Sequence, residues 1–405
     1  MIYFTRNPVM HRFAFSLVAA LGVPAALAAQ RAPTLTVRAD NPLAITRNDE
    51  TVAVPWATVR RALPDASPTR VRVTDANGAE RLSQVVDNDG DGTMDELIFV
   101  ADFSPMQRNV FTVSAAVPAA KPVSRTHFYH DESRDDVAWE SDRIAFRIYG
   151  EGLKKTSSAM SSSGIDVWPT RVHKLVVDAW YKKGHDAYHV DNGDGADFYD
   201  VGETLGNGGT AIWVGDTLYR ADNFKAYKII ADGPVRAIFE LRYDAWNARG
   251  RMVSETKRFT IDAGQNLYKQ ESVFRADGTG DIPYAIGVVK RPGMIGIMNR
   301  DHAWGWLTGW GPVVPKNGGH GELGTAVLLP NARIDGWKEA HGHYLALSHA
   351  RSGETVVHYI GAGWTASGDF PTPQSWWSYL NTFADRLASP IKVSVTRDPP
   401  DGTGR

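Results

Sequence analysis

Cysteine is absent from the 405 residues of this chain. Its absence excludes disulfides, thiolate metal sites and a cysteine nucleophile. Charge of one sign is also missing: 44 Lys and Arg stand against 46 Asp and Glu, a formal net charge of -2. A nucleic-acid binder usually carries a basic surplus, so no such partner is expected. Beyond Gln30 no run is long and apolar enough to cross a bilayer, so no membrane partner is expected either. The glycines carry no Lys-Ser/Thr ending and no G-x-G-x-x-G spacing after a strand. There is no G-x-S-x-G elbow and no H-E-x-x-H pair. P-loop, dinucleotide, serine-hydrolase and zincin readings therefore lapse. What the chain does have is 13 Trp and 38 Gly, a combination that suits a β-rich protein meeting sugar rings.

The N-terminus reads as an address. Arg6, His11 and Arg12 precede an apolar run from Phe13 to Ala28, closed by small residues at Ala25 to Ala29. A charged region, a short apolar region and an A-x-A site make a cleavable signal peptide over residues 1–29, with Met10 as an alternative start. The expected location is the bacterial periplasm.

The rest predicts a mostly β protein. Thr69 to Thr74 alternates and runs into Asp75-Ala76-Asn77-Gly78, an Asn-Gly hairpin turn. Glu96 to Phe103, Asn109 to Val117, Ile144 to Tyr149, Val235 to Tyr243, Arg251 to Ile261 and Asn266 to Phe274 share a period of two, as do shorter segments up to Ile360. So many alternating segments without intervening helices imply antiparallel sheets packed face to face, a large β-sandwich. The Pro/Ala/Ser stretch from Val117 to Ser124 divides a small N-terminal β-domain, 30–118, from the large one, 125–398. One helix is expected: Thr372 as N-cap, Pro373 at the first position, and Trp376, Leu380, Phe383 and Leu387 at helical spacing. Pro390 ends it and a last strand follows from Ile391 to Thr396, before a frayed tail.

Two polar segments stand out. In Asp87-Asn88-Asp89-Gly90-Asp91-Gly92, alternate carboxylates before a glycine are how a loop wraps a hard cation such as calcium. The final bidentate Glu of an EF-hand would fall at Ile98, so Asp95 or Glu96 would have to complete the set. The competing reading is an Asp/Gly β-turn, and a metal here would pin a hairpin without doing chemistry. The second segment, Tyr181 to Tyr199, concentrates His185, His189, Tyr188, Tyr199 and four aspartates, and leads into the glycines around Gly206. Such a loop suits proton transfer or a His/carboxylate metal site, against the alternative of a solvated acidic loop. Arg143 and Arg147 share one face of a strand, and either could clamp a carboxylate or form a structural ion pair. Lys290 ends a strand, and Trp306 and Trp310 lie in a Trp/Gly segment that could stack on sugars or pack in the core.

Four pieces carry a resemblance. They are Ala138 through Gly150 (AWESDRIAFRIYG), Gly164 to Trp168 (GIDVW), Tyr188-His189 with Asp197-Phe198-Tyr199, and Ser254 to Arg258 (SETKR) with Asp262 to Leu267 (DAGQNL). Together they resemble the bacterial domain of unknown function 4861 family over nearly the whole mature chain. The resemblance implies an exported protein that accompanies enzymes degrading uronic-acid polysaccharides. It implies a β-sandwich like that of sugar mutarotases and sandwich-type lyases. It also implies an oligosaccharide dehydratase activity of the kind met in ulvan breakdown, where a terminal uronic acid loses water across C4 and C5. That reaction needs a cation to quench the substrate carboxylate, a base for the C5 proton and an acid for the departing hydroxyl. The residues assigned are His189 with Tyr199 or Tyr188 for proton transfer and Arg143 as the clamp. His185 and Asp191 support them, and Lys290, Trp306 and Trp310 bind the sugar. Three rivals remain: a polysaccharide lyase, a glycoside hydrolase using a pair among Asp186, Asp191, Asp194 and Asp197, and a non-catalytic sugar-binding protein. Oligomeric state is left open.

Overall fold

The computed structural model describes residues 32–155, 162–313 and 321–398. The segment expected as a signal peptide, 1–29, and the last seven residues of the tail lie outside them. Alternation builds the largest sheet. Along Arg251–Asp262, Val253, Phe259 and Ile261 are buried on one side while Arg258 and Thr260 face the other. This strand pairs antiparallel with Arg236–Ala248 and with Leu267–Ala276. The sheet extends to eight strands, ending at Ala226–Asp232 on one edge and at Ile295–Asn299 on the other.

Two smaller sheets cover its inner face. One has five strands, with Asn207–Val214, Ile282–Val289 and His343–Ala350 at its centre, and the other has four, from Thr126–Asp131 to Asp166–Pro169. Trp139 and Phe146 of the four-stranded sheet stack with Phe239, Phe259 and Tyr268 of the large one. Face-to-face antiparallel packing is thus what the alternation implied.

The outer face carries two other bodies. Helix α3 (Pro373–Ala388) lies over Trp306, Trp310 and Leu328 and buries Trp376, Leu380 and Phe383 against them. Thr372 closes a capping box with Ser375, as the sequence predicts for the helix start. Beside it sits the N-terminal β-domain, with its own core of Val37, Val54, Phe99 and Phe111. The C-terminal strand Lys392–Asp398 does not stay with the large domain. It returns to pair along Thr34–Asp40, across the expected division between 30–118 and 125–398. Two further helices, α1 (Trp56–Ala62) and α2 (Val177–Lys183), were not expected. No helix among the described residues is long and apolar enough to cross a membrane.

Candidate functional site

The strand Ile144–Tyr149 is buried along its whole length because both of its faces are covered. Phe146 and Ile148 face the sandwich core, while Ala145 and Arg147 face outward under α2, against Trp168 and Tyr188. Arg147 is therefore a buried guanidinium, and its donors are matched. Its Nη2 meets Asp166 Oδ2 at 2.6 Å and Asp197 Oδ2 at 2.7 Å, and its Nη1 donates to the Tyr188 hydroxyl at 3.0 Å. Burial, then the adjacent Asp197, raises the Asp166 pKa to about 7 against the pull of Arg147.

His189 reaches this network from the solvent side. Its Nε2 lies 3.1 Å from Asp197 Oδ2 and its Nδ1 lies 2.7 Å from the His185 carbonyl oxygen. A carbonyl only accepts, so Nδ1 carries a hydrogen and a neutral ring would turn a lone pair toward the carboxylate. The protonated ring satisfies both partners. Burial opposes the charge, but Asp197 and the His185 carbonyl outweigh it and raise the pKa. His185 behaves oppositely. Its pKa is lowered by desolvation first, with Arg134, His189 and Arg147 adding to this against Asp186. The two rings are 4.7 Å apart. The two shifts run in opposite directions, His189 toward the acid form and His185 toward the base form, which is the division that proton transfer requires.

Arg134 is a cation acting on His185 that the sequence reading missed. It sits in the hairpin after Thr126–Asp131, is half-buried, and its charge acts on both His185 and Tyr188. Its Nε faces Asp136 Oδ2 at 3.6 Å without a hydrogen bond. Asp136 is held in turn by the Tyr181 hydroxyl at 2.7 Å. No periodicity marks Arg134, because its position depends on how α2 and the following turn fold back over the four-stranded sheet.

Of the remaining expected site residues, only Tyr188 is at this network. Arg143 precedes Arg147 by four residues, roughly 13 Å along a strand at about 3.3 Å per residue. It bonds Asp49 at 2.9 Å and His173 at 2.8 Å, and shares no partner with His189. Tyr188 is at the network, but its phenol is pushed up to about 12, by burial first, so it stays neutral. Tyr199 is buried beneath the Arg291 guanidinium, 4.5 Å from its ring centre. Asp191 anchors its own loop by accepting from Gly193 and Gly195 and pairing with Arg171. Lys290 pairs with Glu339, away from the histidines. Trp306 and Trp310 are 2% and 3% exposed beneath α3, with indole N–H groups on Asn381 and Glu322. A ring covered on both faces offers no platform to a sugar, so these two are core residues.

In the acidic loop the ligand-capable oxygens of Asp87, Asp89 and Asp95 lie within 4.8 Å of one another, and this set could hold a metal ion. Asp91 is outside it, accepting from the Thr93 N–H instead, and Asp95 takes its place. The N–H groups of Gly92 and Gly90 bring the Asp87 pKa down against desolvation.

Inside the sandwich is a polar group that sequence reasoning passed over. Glu255 and Lys257 occupy inward positions of Arg251–Asp262, 3.7 Å apart and wholly buried. Glu255 accepts from the Thr210 hydroxyl, and the Lys257 ammonium lies over the Tyr243 ring. Burial drives Glu255 up and Lys257 down, toward a neutral pair. Buried His358, nearby, has neither ring nitrogen hydrogen-bonded. The available signal was charge on the apolar parity of a strand.

Comparison with known proteins gives a family and little else. The family model described as Domain of unknown function (DUF4861) matches residues 39–393. "Uncharacterized protein P7" of Formosa agariphila is 32% identical over 340 residues, 79% of this chain and 83% of that protein. Among solved structures, a protein in the glycosyl hydrolase family 38 from Enterococcus faecalis aligns with TM-score 0.49 and 11% identity, over 90% of this chain and 47% of its own. An alpha-mannosidase from the same species aligns with TM-score 0.47 and 10% identity, over 91% and 46%. The chain spans about half the length of these two structures. On the family match and the P7 relationship together, the chain belongs to the DUF4861 family.

Proposed function

We propose that this protein is a periplasmic carbohydrate-active enzyme that removes water across C4 and C5 of a terminal uronic acid in an oligosaccharide. The observation that carries the reading is the His185–His189 pair, 4.7 Å apart, solvent-accessible and backed by Asp197 and Arg147. Neutral His185 takes the C5 proton and protonated His189 gives one to the departing 4-hydroxyl. Both act from one side of the ring. Arg134 faces the substrate carboxylate and steadies the enolate-like charge. Asp197 favours the charged, oriented form of His189 against the opposing charge of Arg147, and the Arg147–Asp166–Asp197 network stays off the substrate. A calcium ion at Asp87, Asp89 and Asp95 has a structural role only, on the other side of the molecule.

The test is turnover of saturated oligouronates, followed by absorbance of the conjugated double bond and product mass. Gain of absorbance with loss of one water is expected, and His185→Ala and His189→Ala each lower kcat by roughly 10²–10⁴-fold. Chain shortening with unsaturation would make the protein a lyase with the same acid and base. Wild-type turnover in both variants would remove these histidines from the chemistry.

A further inference from the structure

A large cleft among the described residues lies away from the histidines. A hollow beside their loop, walled by Trp180, Lys183, Tyr188 and Asn192, admits no water-sized sphere. A cleft of about 920 Å³ instead opens where the N-terminal β-domain and α3 overhang the outer face of the eight-stranded sheet. Its volume is near the top of the roughly 300–1,000 Å³ range of small-molecule sites. It is separated from the histidines by the eight- and four-stranded sheets, on the order of 20 Å at about 10 Å per packed layer.

Charge defines what the cleft can take. Five arginine or lysine side chains and six carboxylates line it, so it has no positive excess to select a polyanion. The cations are already held. Arg236 is forked onto Asp262 at 2.6 and 2.8 Å, Arg258 meets Glu240 at 2.6 Å, and Lys269 meets Glu271 at 3.0 Å. At the α3 end, Arg47 and Arg386 share Glu50 at 2.7 and 2.8 Å. Each cationic head group is thereby fixed before any ligand arrives and neutralised by its partner, while further lone pairs and N–H groups remain to meet hydroxyls. The half-buried ring of Tyr359, with Phe383 packed behind it at 5.3 Å between centroids, adds an apolar patch among these polar groups.

We infer that this interdomain cleft is a second binding site, for an uncharged polyhydroxylated ligand, namely a segment of neutral oligosaccharide. Fixed ion pairs offer donors and acceptors to hydroxyls without the cost of separating a free charge from water, and the half-buried Tyr359 ring, backed by Phe383, offers an apolar patch to the C–H face of a pyranose. The inference does not depend on the histidine chemistry. Its floor centres on Thr260, which pairs across the sheet with Ile238 and Lys269.

Isothermal titration of the full mature chain with cellotriose, xylotriose, mannotriose and galactotriose tests it, with trigalacturonate as charged competitor. At least one neutral trisaccharide is expected to bind saturably. Thr260→Trp, which fills the floor without breaking an ion pair, should weaken that binding at least tenfold. Lys269→Ala, a milder change at the same spot, should weaken it severalfold, and His189→Ala should leave it unchanged. Circular dichroism establishes that each variant is folded; if Thr260→Trp is not, Lys269→Ala decides. Absence of binding by all four neutral sugars overturns the inference. So does wild-type affinity in the folded cleft variants, or displacement of the bound sugar by trigalacturonate.

Discussion

Replacing Asp197 with asparagine probes the atom at which His189 and Arg147 meet. Asp197 Oδ2 is 3.1 Å from the imidazole and 2.7 Å from the guanidinium, so one substitution removes a charge from both contacts. Shape and an acceptor oxygen survive, and Arg147 keeps Asp166. The loss is the charge-assisted part of the interaction, about 1.5–3 kcal/mol of stability. The His189 pKa is raised in the native protein, so its contribution to stability is complete below the unfolded value near 6.5 and is lost as pH rises through the folded value. The stability gap between wild type and Asp197→Asn should therefore be wider at about pH 6 than at about pH 8.5, in urea denaturation. In parallel, NMR titration of the His189 ring should show its pKa falling in the variant, and kcat should fall with it. An unchanged His189 titration would refute the assignment of Asp197 as the group that keeps His189 charged.

Other outcomes follow from the same structure. Calcium should stabilise the fold by about 2.7 kcal/mol at a hundredfold excess over Kd, raising the melting temperature, and a chelator should reverse the rise. Asp89→Asn should abolish this shift and Asp91→Asn should preserve it, because only Asp89 is in the oxygen cluster; the reverse pattern in differential scanning fluorimetry would displace the site. Burial holds the His358 pKa down at about 3, so this ring contributes stability above the unfolded value near 6.5 that is lost as pH falls toward 3. His358→Phe leaves no partner unpaired and should be neutral or stabilising at pH 7. It should also remove up to about 1.4 kcal/mol per pH unit of acid sensitivity across that window, and an unchanged slope would contradict the burial. Trp376→Ala should cost about 3–5 kcal/mol, since its ring is fully enclosed and its N–H is bonded to Thr308. A loss below 1 kcal/mol, on the order of a surface change, would mean that α3 is not packed as described.

The sequence by itself determined the features that depend on neighbours a few residues away. Period-two alternation places Val253, Phe259 and Ile261 on one side of a strand whatever that strand packs against. The Asn77-Gly78 turn and the Thr372 cap close their own hydrogen bonds, so both were legible without the fold. The Tyr181 to Tyr199 segment stood out because a long ordered polar loop is costly. What lies in that segment could be listed, but not which arginine meets it. Arg143 sits in the turn before the strand and Arg147 within it, and they differ in what the fold brings to them: Asp49 and His173 to one, α2 with Tyr188 and Asp197 to the other. Helix α2 itself was hidden for the same reason, because its first N–H groups are capped by Glu140, more than thirty residues upstream. Trp306 and Trp310 read as sugar platforms until α3 covers them, and the last strand read as part of the large domain until it pairs with Thr34–Asp40. Local pattern sets which way a side chain points; only the packed chain decides whether water, a carboxylate or another ring is waiting there.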